Sequence, residues 1–231
     1  PPEVAGYELS SYYEPCELLG GDLFQFADAG EGRTGLLVAD VSGHGTEAAM
    51  LMAMTLKSFA ARAPGRPSPA DVLCRVARDM AADLPRGKFI TAFYAILEHG
   101  SGTVLYARAG HNPAMLVDPE RGSVLQLSDN GLAIGVAEPK LFESKLVEGI
   151  AKLPLGASLL LYTDGLVEAR DPSGDPFGEA RLEETLQREA AGASHTILEE
   201  LIEDLRLHTG SGAKEDDVTL LLVKRTDLIP A

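Results

Sequence analysis

The chain has 231 residues, 45% of them hydrophobic, which supplies a substantial core and excludes disorder over most of its length. Its 20 basic residues are outnumbered by 35 acidic ones, and the formal charge of −15 argues against binding duplex nucleic acid or an anionic membrane. No apolar run approaches the ~20 residues that cross a bilayer. Pro1, Pro2 and Glu3 offer no signal-peptide pattern. Cys16 and Cys74 form no CxxC pair and no disulfide framework. These features lead to the expectation of a cytoplasmic domain. The absence of an initial Met leads to a second one, that the domain is cut from a longer chain.

In chain order, Tyr7–Tyr13 reads as a strand, and Leu23–Ala27 and Thr34–Ala39 as a hairpin around the turn at 28–32. After Gly43-His44-Gly45 the pattern becomes a helix to about Ala63, with Thr46 expected as N-cap and Glu47 in the first turn. It is apolar on most faces and therefore expected to be buried, with Met50, Met52 and Met54 packing in the core. Pro64-Gly65-Arg66-Pro67 ends it. Ser68, Pro69 and Asp71 then stand at the N-cap, N1 and N3 of a second helix running to about Leu84.

A strand-rich middle is expected at Phe89–Leu97, Thr103–Ala109, Ala114–Val117, Val124–Leu127, Phe142–Val147 and Ser158–Tyr162. Two helices, Glu179–Ala190 and His195–Leu207, precede a last strand at Val218–Lys224. Strands in consecutive hairpins with helices in pairs are unlike alternating βαβ units. They point to an α+β fold of antiparallel sheets covered by helix pairs. The linker at 64–67 is too short for a domain boundary, so residues 1–231 are expected to form one domain, its core at about 7–225.

The placement of the acids carries the chemistry. Asp22 follows Gly20-Gly21 before an apolar strand, and Asp40 ends Leu36-Leu37-Val38-Ala39. Asp164 ends Leu159-Leu160-Leu161-Tyr162-Thr163, and Asp216-Asp217 precede Val218-Thr219-Leu220-Leu221-Leu222-Val223. Asp and Gly are common turn residues, which explains any one of these positions. Four strand ends together are better explained by a shared cleft. Carboxylates gathered there repel one another unless cations neutralise them. An oxygen-only set without His/Cys spacing selects hard ions such as Mg²⁺ or Mn²⁺. Two such ions held ~3.5–4 Å apart are the usual basis for activating a water in hydrolysis.

Gly20-Gly21-Asp22, Asp40-Val41-Ser42-Gly43-His44-Gly45, Ala109-Gly110-His111-Asn112-Pro113, Thr163-Asp164-Gly165 and Asp216-Asp217-Val218-Thr219 occur in that order. Together they resemble the signature blocks of the metal-dependent protein phosphatase family (protein phosphatase 2C type), in its bacterial branch named after stage II sporulation protein E. The resemblance extends over roughly Tyr7 to Arg225. It implies a layered α-β-β-α sandwich and a serine/threonine protein phosphatase using two Mn²⁺ or Mg²⁺ ions, with a third, weaker ion also implied. Asp22 would resemble the carboxylate serving both ions. Asp40 and the Val41 carbonyl would hold one ion, and Asp164 with Asp216 the other. Asp217 remains the alternative to its neighbour. Asp22 and Asp40 would thereby be catalytic.

Two departures stand out. Val41 and Ser42 separate Asp40 from Gly43-His44-Gly45, so the residues leave open whether His44 donates a proton to the leaving oxygen or faces solvent. The Arg that grips phosphate in eukaryotic relatives has no match in Tyr7–Cys16. His111 is expected to bond backbone between two strands. The implied partners are a phosphorylated anti-anti-sigma factor, an upstream sensor domain and a second copy in a homodimer. On that scheme the helix from Thr46 moves Asp40 and Val41 to change metal occupancy. The competing expectation is a non-catalytic partner-binding module of the same fold. A nucleotide hydrolase is disfavoured because no Walker loop is present.

Overall fold

The computed structural model describes residues 1–210 and 214–226. Strand β3 (Arg33–Val41) shows why the chain forms layers. Leu37, Ala39 and Val41 enter one core while Leu36 and Val38 enter another, as the alternation of side chains in a strand requires. The strands β9 (Ser158–Tyr162) and β10 (Val218–Arg225) do the same on the other side of the molecule. Their continuous apolar runs follow from burial on both faces.

Two five-stranded sheets result, with every strand pair antiparallel. One runs β1 (Tyr7–Glu14), β10, β9, β6 (Ala114–Asp118), β7 (Ser123–Leu127). The other runs β2 (Leu23–Asp28), β3, β4 (Ile90–Glu98), β5 (Thr103–Ala109), β8 (Glu148–Lys152). Between them lies a core that includes Leu36, Val38, Phe93, Leu159, Leu161, Leu221 and Val223, with Phe93 stacked on Tyr106 at 5.4 Å between ring centroids.

The helices α1 (Gly45–Arg62), α2 (Pro69–Met80) and α3 (Pro139–Lys145) cover the β3 sheet. The helices α4 (Asp164–Glu168), α5 (Gly178–Glu189) and α6 (Ser194–Thr209) cover the β10 sheet. The expected α+β sandwich of α-β-β-α layers is the observed fold.

Several local expectations are corrected. Phe142–Val147 is not a strand: Pro139 opens α3, whose one buried side chain, Phe142, packs in the α1–α2 core, and the strand is β8 just after it. Helix α2 stops at Met80, short of Leu84. Helix α1 begins at Gly45 with His44 rather than Thr46 as N-cap, and that cap makes no side-chain bond. Nor is α1 buried on most faces. Ala48, Leu51, Thr55 and Phe59 are its buried residues, whereas Met50 is 64% and Met54 37% exposed, leaving Met52 as the one of the three packed against the core. Each fully buried Leu or Phe contributes about 1.5–3 kcal/mol. With Leu51 and Phe59 as its large anchors, α1 is held less firmly than α2, which buries Val72, Leu73, Val76 and Met80.

Candidate functional site

Antiparallel pairing gathers the acids at one end of the sandwich. Leu23 at the start of β2 pairs with Ala39 near the end of β3, and Leu220 near the start of β10 pairs with Tyr162 at the end of β9. Asp22, Asp40, Asp164 and the pair Asp216-Asp217 therefore meet where the two sheets come together, although nearly the whole chain separates the first from the last.

Asp22 is buried, and its Oδ2 accepts hydrogen bonds from Thr163 Oγ1 at 2.6 Å and Thr219 Oγ1 at 2.7 Å. Thr163 Oγ1 in turn accepts from the Thr219 N–H at 3.0 Å, so both threonines are fixed by the β9–β10 pair. Both oxygens of Asp217 are also engaged. Oδ1 accepts from the Cys16 N–H at 2.8 Å, and Oδ2 from the Gly21 N–H at 2.7 Å and the Asp22 N–H at 3.3 Å. Asp217 is a clamp that holds the Gly20-Gly21-Asp22 loop in place. Asp216 is exposed and accepts the Asp217 N–H at 2.8 Å. The two adjacent acids thus have different surroundings. One oxygen from each lies within 4.8 Å of Cys16 Sγ.

Glycines permit this packing. A Cβ on Gly21 would stand 2.8 Å from the Val41 carbonyl oxygen, and one on Gly165 would enter the Asp217 carbonyl. Gly43 and Gly45 both have positive φ, of 91° and 80°, and turn the chain from β3 into α1. Lys88 Nζ donates to the Ser42 carbonyl in that turn at 3.0 Å, and Ser42 exchanges two further bonds of 3.0 Å with the backbone of Phe89. His44 projects from the turn, 69% exposed, with Nδ1 3.3 Å from Glu17 Oε1.

Burial and mutual repulsion set the electrostatics. Burial, followed by the nearby Asp40 and Asp217 charges, pushes Asp22 up to about 8 against the opposing threonine hydrogen bonds. Burial and the charges of Asp164, Asp216 and Asp217 push Asp40 up to about 7, with the Asp22 carboxyl in hydrogen-bonding reach. Asp164 and Asp216 are raised as well, chiefly by burial. Like-charged groups this crowded either hold protons or take up cations. The four carboxylates offer oxygen donors that fit a hard divalent ion, with Cys16 Sγ at the edge of the set beside Asp216 and Asp217.

His111 lies beside this cluster rather than in it. Its Nδ1 meets the Thr91 hydroxyl at 2.7 Å, the Tyr162 backbone is a second hydrogen-bonding neighbour, and burial lowers it to about 4 so that it stays neutral. The threonine clamp and Lys88 are what the reading of the residues missed. Thr163 and Thr219 stand inside motifs already noted, whereas nothing near Lys88 in the sequence marks it.

Comparison with known proteins agrees with this geometry. The family model described as Stage II sporulation protein E (SpoIIE) matches residues 30–226. The chain is 26% identical to Protein IcfG of Synechocystis over 97% of its own length and 39% of that protein. It is also 26% identical to phosphoserine phosphatase RsbP of Bacillus subtilis, over 94% of its length and 52% of RsbP. The crystal structure of the RsbU and RsbW domains of Rv1364c from Mycobacterium tuberculosis superposes with a TM-score of 0.80 at 29% identity, covering 99% of this chain and 62% of that one. The chain thus spans about half the length or less of the curated relatives it matches. With the family model matching most of its residues and carboxylates converging from distant strand ends, the chain belongs to the SpoIIE family of phosphatase domains.

Proposed function

We propose that this domain is a metal-dependent phosphatase acting on phosphoserine or phosphothreonine of a protein. The observation that carries the reading is the convergence of Asp22, Asp40, Asp164 and Asp216 into one oxygen-lined cluster. The similarity to RsbP, a phosphoserine phosphatase, supports the same reaction class. Asp22, Asp40, the Val41 carbonyl, Asp164 and Asp216 would hold Mn²⁺ or Mg²⁺, while Asp217, committed to three backbone donors, would hold the loop. When bound, the ions would neutralise the phosphoryl oxygens and acidify a water for attack on phosphorus.

The remaining work falls to this chain's own groups. Thr163 and Thr219 occupy Oδ2 of Asp22, which orients the carboxylate and leaves Oδ1 for the cluster. Without cations, the acids would repel a phosphate dianion. Lys88 and the glycines at 43 and 45 hold the turn that carries Asp40 and Val41. His44, exposed at the mouth and oriented by Glu17, would give a proton to the leaving seryl oxygen.

We extend the reading to an anti-anti-sigma factor as the phosphoprotein, as the family implies. Hydrolysis of p-nitrophenyl phosphate with Mn²⁺ and with EDTA tests the first step, and equal rates in the two would refute it. Loss of phosphate from candidate antagonist proteins, followed by mass, tests the second.

A further inference from the structure

A cleft of about 390 Å³ opens beside the acid cluster, between α4, the C-terminal half of α6, the end of β1 and the start of β10. Asp216 and Gly165 belong to its wall, so it is continuous with the proposed catalytic cluster. Its volume lies in the range of binding sites, about 300–1,000 Å³. Ile202, Leu205 and Val218 line it with apolar surface.

Three cations line it as well, and their partners differ. Lys214 is paired with Glu14, and Arg170 lies 3.7 Å from Glu215. Arg206, exposed at the end of α6, makes no direct ion pair among the described residues; its guanidinium lies by the Tyr12 hydroxyl, with the Glu14 charge nearby. In a chain of net charge −15, an exposed guanidinium with no carboxylate in direct contact among the described residues is an attraction for an acidic group.

We propose that this cleft is the substrate subsite flanking the phosphorylated residue, taking an apolar side chain on Ile202, Leu205 and Val218 and an acidic side chain on Arg206. The inference rests on the phosphatase reading, since it needs the phosphoserine to lie at Asp216. It explains how a domain whose phosphate grip is confined to a cation cluster could still choose among phosphoproteins. Specificity would come from the wall of the cleft rather than from the phosphate. A side chain reaching Arg206 would belong to a residue close in sequence to the phosphoserine, because the cleft begins at the cluster itself.

The test uses pairs of phosphoserine peptides that carry Glu or Lys at successive positions on either side of the phosphoserine, next to a Leu. The readout is the ratio of kcat/KM between the two members of each pair, for the unaltered chain and for Arg206→Glu. p-Nitrophenyl phosphate, which carries no flanking acidic side chain for Arg206, serves as the reference rate for each protein. At one position the unaltered chain should favour Glu by ~5-fold, the worth of one exposed charge pair, and Arg206→Glu should favour Lys instead. A merely structural role for Arg206 would lower both members alike and leave the ratio unmoved. An unchanged ratio in the variant, or no preference at any position in the unaltered chain, overturns the subsite while hydrolysis of p-nitrophenyl phosphate leaves the phosphatase reading standing. Failure to hydrolyse any phosphoester with Mn²⁺ overturns both.

Discussion

Replacing Asp217 and Asp216 one at a time by Asn should have opposite effects on the metal-free protein. The Asp217 carboxylate accepts three backbone N–H groups, at 2.7, 2.8 and 3.3 Å. Hydrogen bonds to a charged group contribute about 1.5–3 kcal/mol each. Asn keeps one acceptor oxygen, which can serve Gly21 and Asp22, but turns an NH₂ toward the Cys16 N–H. One bond is lost and two donors face each other, for a cost of about 2–3 kcal/mol. For a domain of this size that corresponds to a fall in Tm of roughly 5–10 °C.

Asp216 differs in kind. It reaches solvent at the edge of the site, yet partial desolvation by the surrounding protein, with the Asp217 charge, raises its pKa, so its ionised form is disfavoured where it stands. Asn at 216 relieves that repulsion and can still accept the Asp217 N–H through its side-chain oxygen. Asp216→Asn should therefore melt in EDTA at or above the unaltered protein, yet bind Mn²⁺ at least ~10-fold more weakly. Thermal unfolding in EDTA, followed by circular dichroism, and calorimetric titration with Mn²⁺ read the two effects separately. If Asp217→Asn melts with the unaltered protein while losing Mn²⁺ binding, Asp217 is a ligand and the clamp argument fails.

Three further outcomes follow from the same geometry. Because the folded pKa values of Asp22 and Asp40, about 8 and about 7, lie above the unfolded value of about 3.9, the stability they contribute is full in acid and lost as pH rises. In EDTA, Tm should fall between pH 5 and 8, and saturating Mn²⁺ should remove the fall; a Tm independent of pH in EDTA would contradict this. Gly165→Ala places a Cβ in the Asp217 carbonyl, and the resulting shift should cost about 1–3 kcal/mol, seen as a lower urea midpoint. An unchanged midpoint would show that the turn yields freely. His44→Gln, at an exposed turn, should leave Tm unaltered, and should slow phosphoserine peptides far more than p-nitrophenyl phosphate, whose leaving group needs no proton. Equal slowing of both would exclude proton donation by His44.

Much of this protein is legible in local chemistry. Ser68, Pro69 and Asp71 announce the start of α2, and the Ser68 hydroxyl does accept the Asp71 N–H at 3.1 Å. The apolar runs ending in Asp40 and Asp164 and beginning after Asp217 mark strands buried on both faces, because such strands have no solvent side to carry polar residues. Where local signals conflict, contacts distant in sequence decide. Phe142 is drawn into the α1–α2 core and makes a helix of a segment rich enough in apolar residues to read as a strand. Met50 and Met54 stand out toward solvent because α1 turns Leu51, Thr55 and Phe59 to the β3 sheet. Asp216 and Asp217 are chemically identical and adjacent. What separates them is that Asp217 meets the N–H groups of Cys16, Gly21 and Asp22, some 200 residues away, whereas Asp216 is exposed and accepts only the Asp217 N–H among the described residues. The sequence by itself determined that acids cap the inner strands. Only the packing of the two sheets, which joins the ends of the chain, decided that Asp217 is the acid that holds the Gly20-Gly21-Asp22 loop.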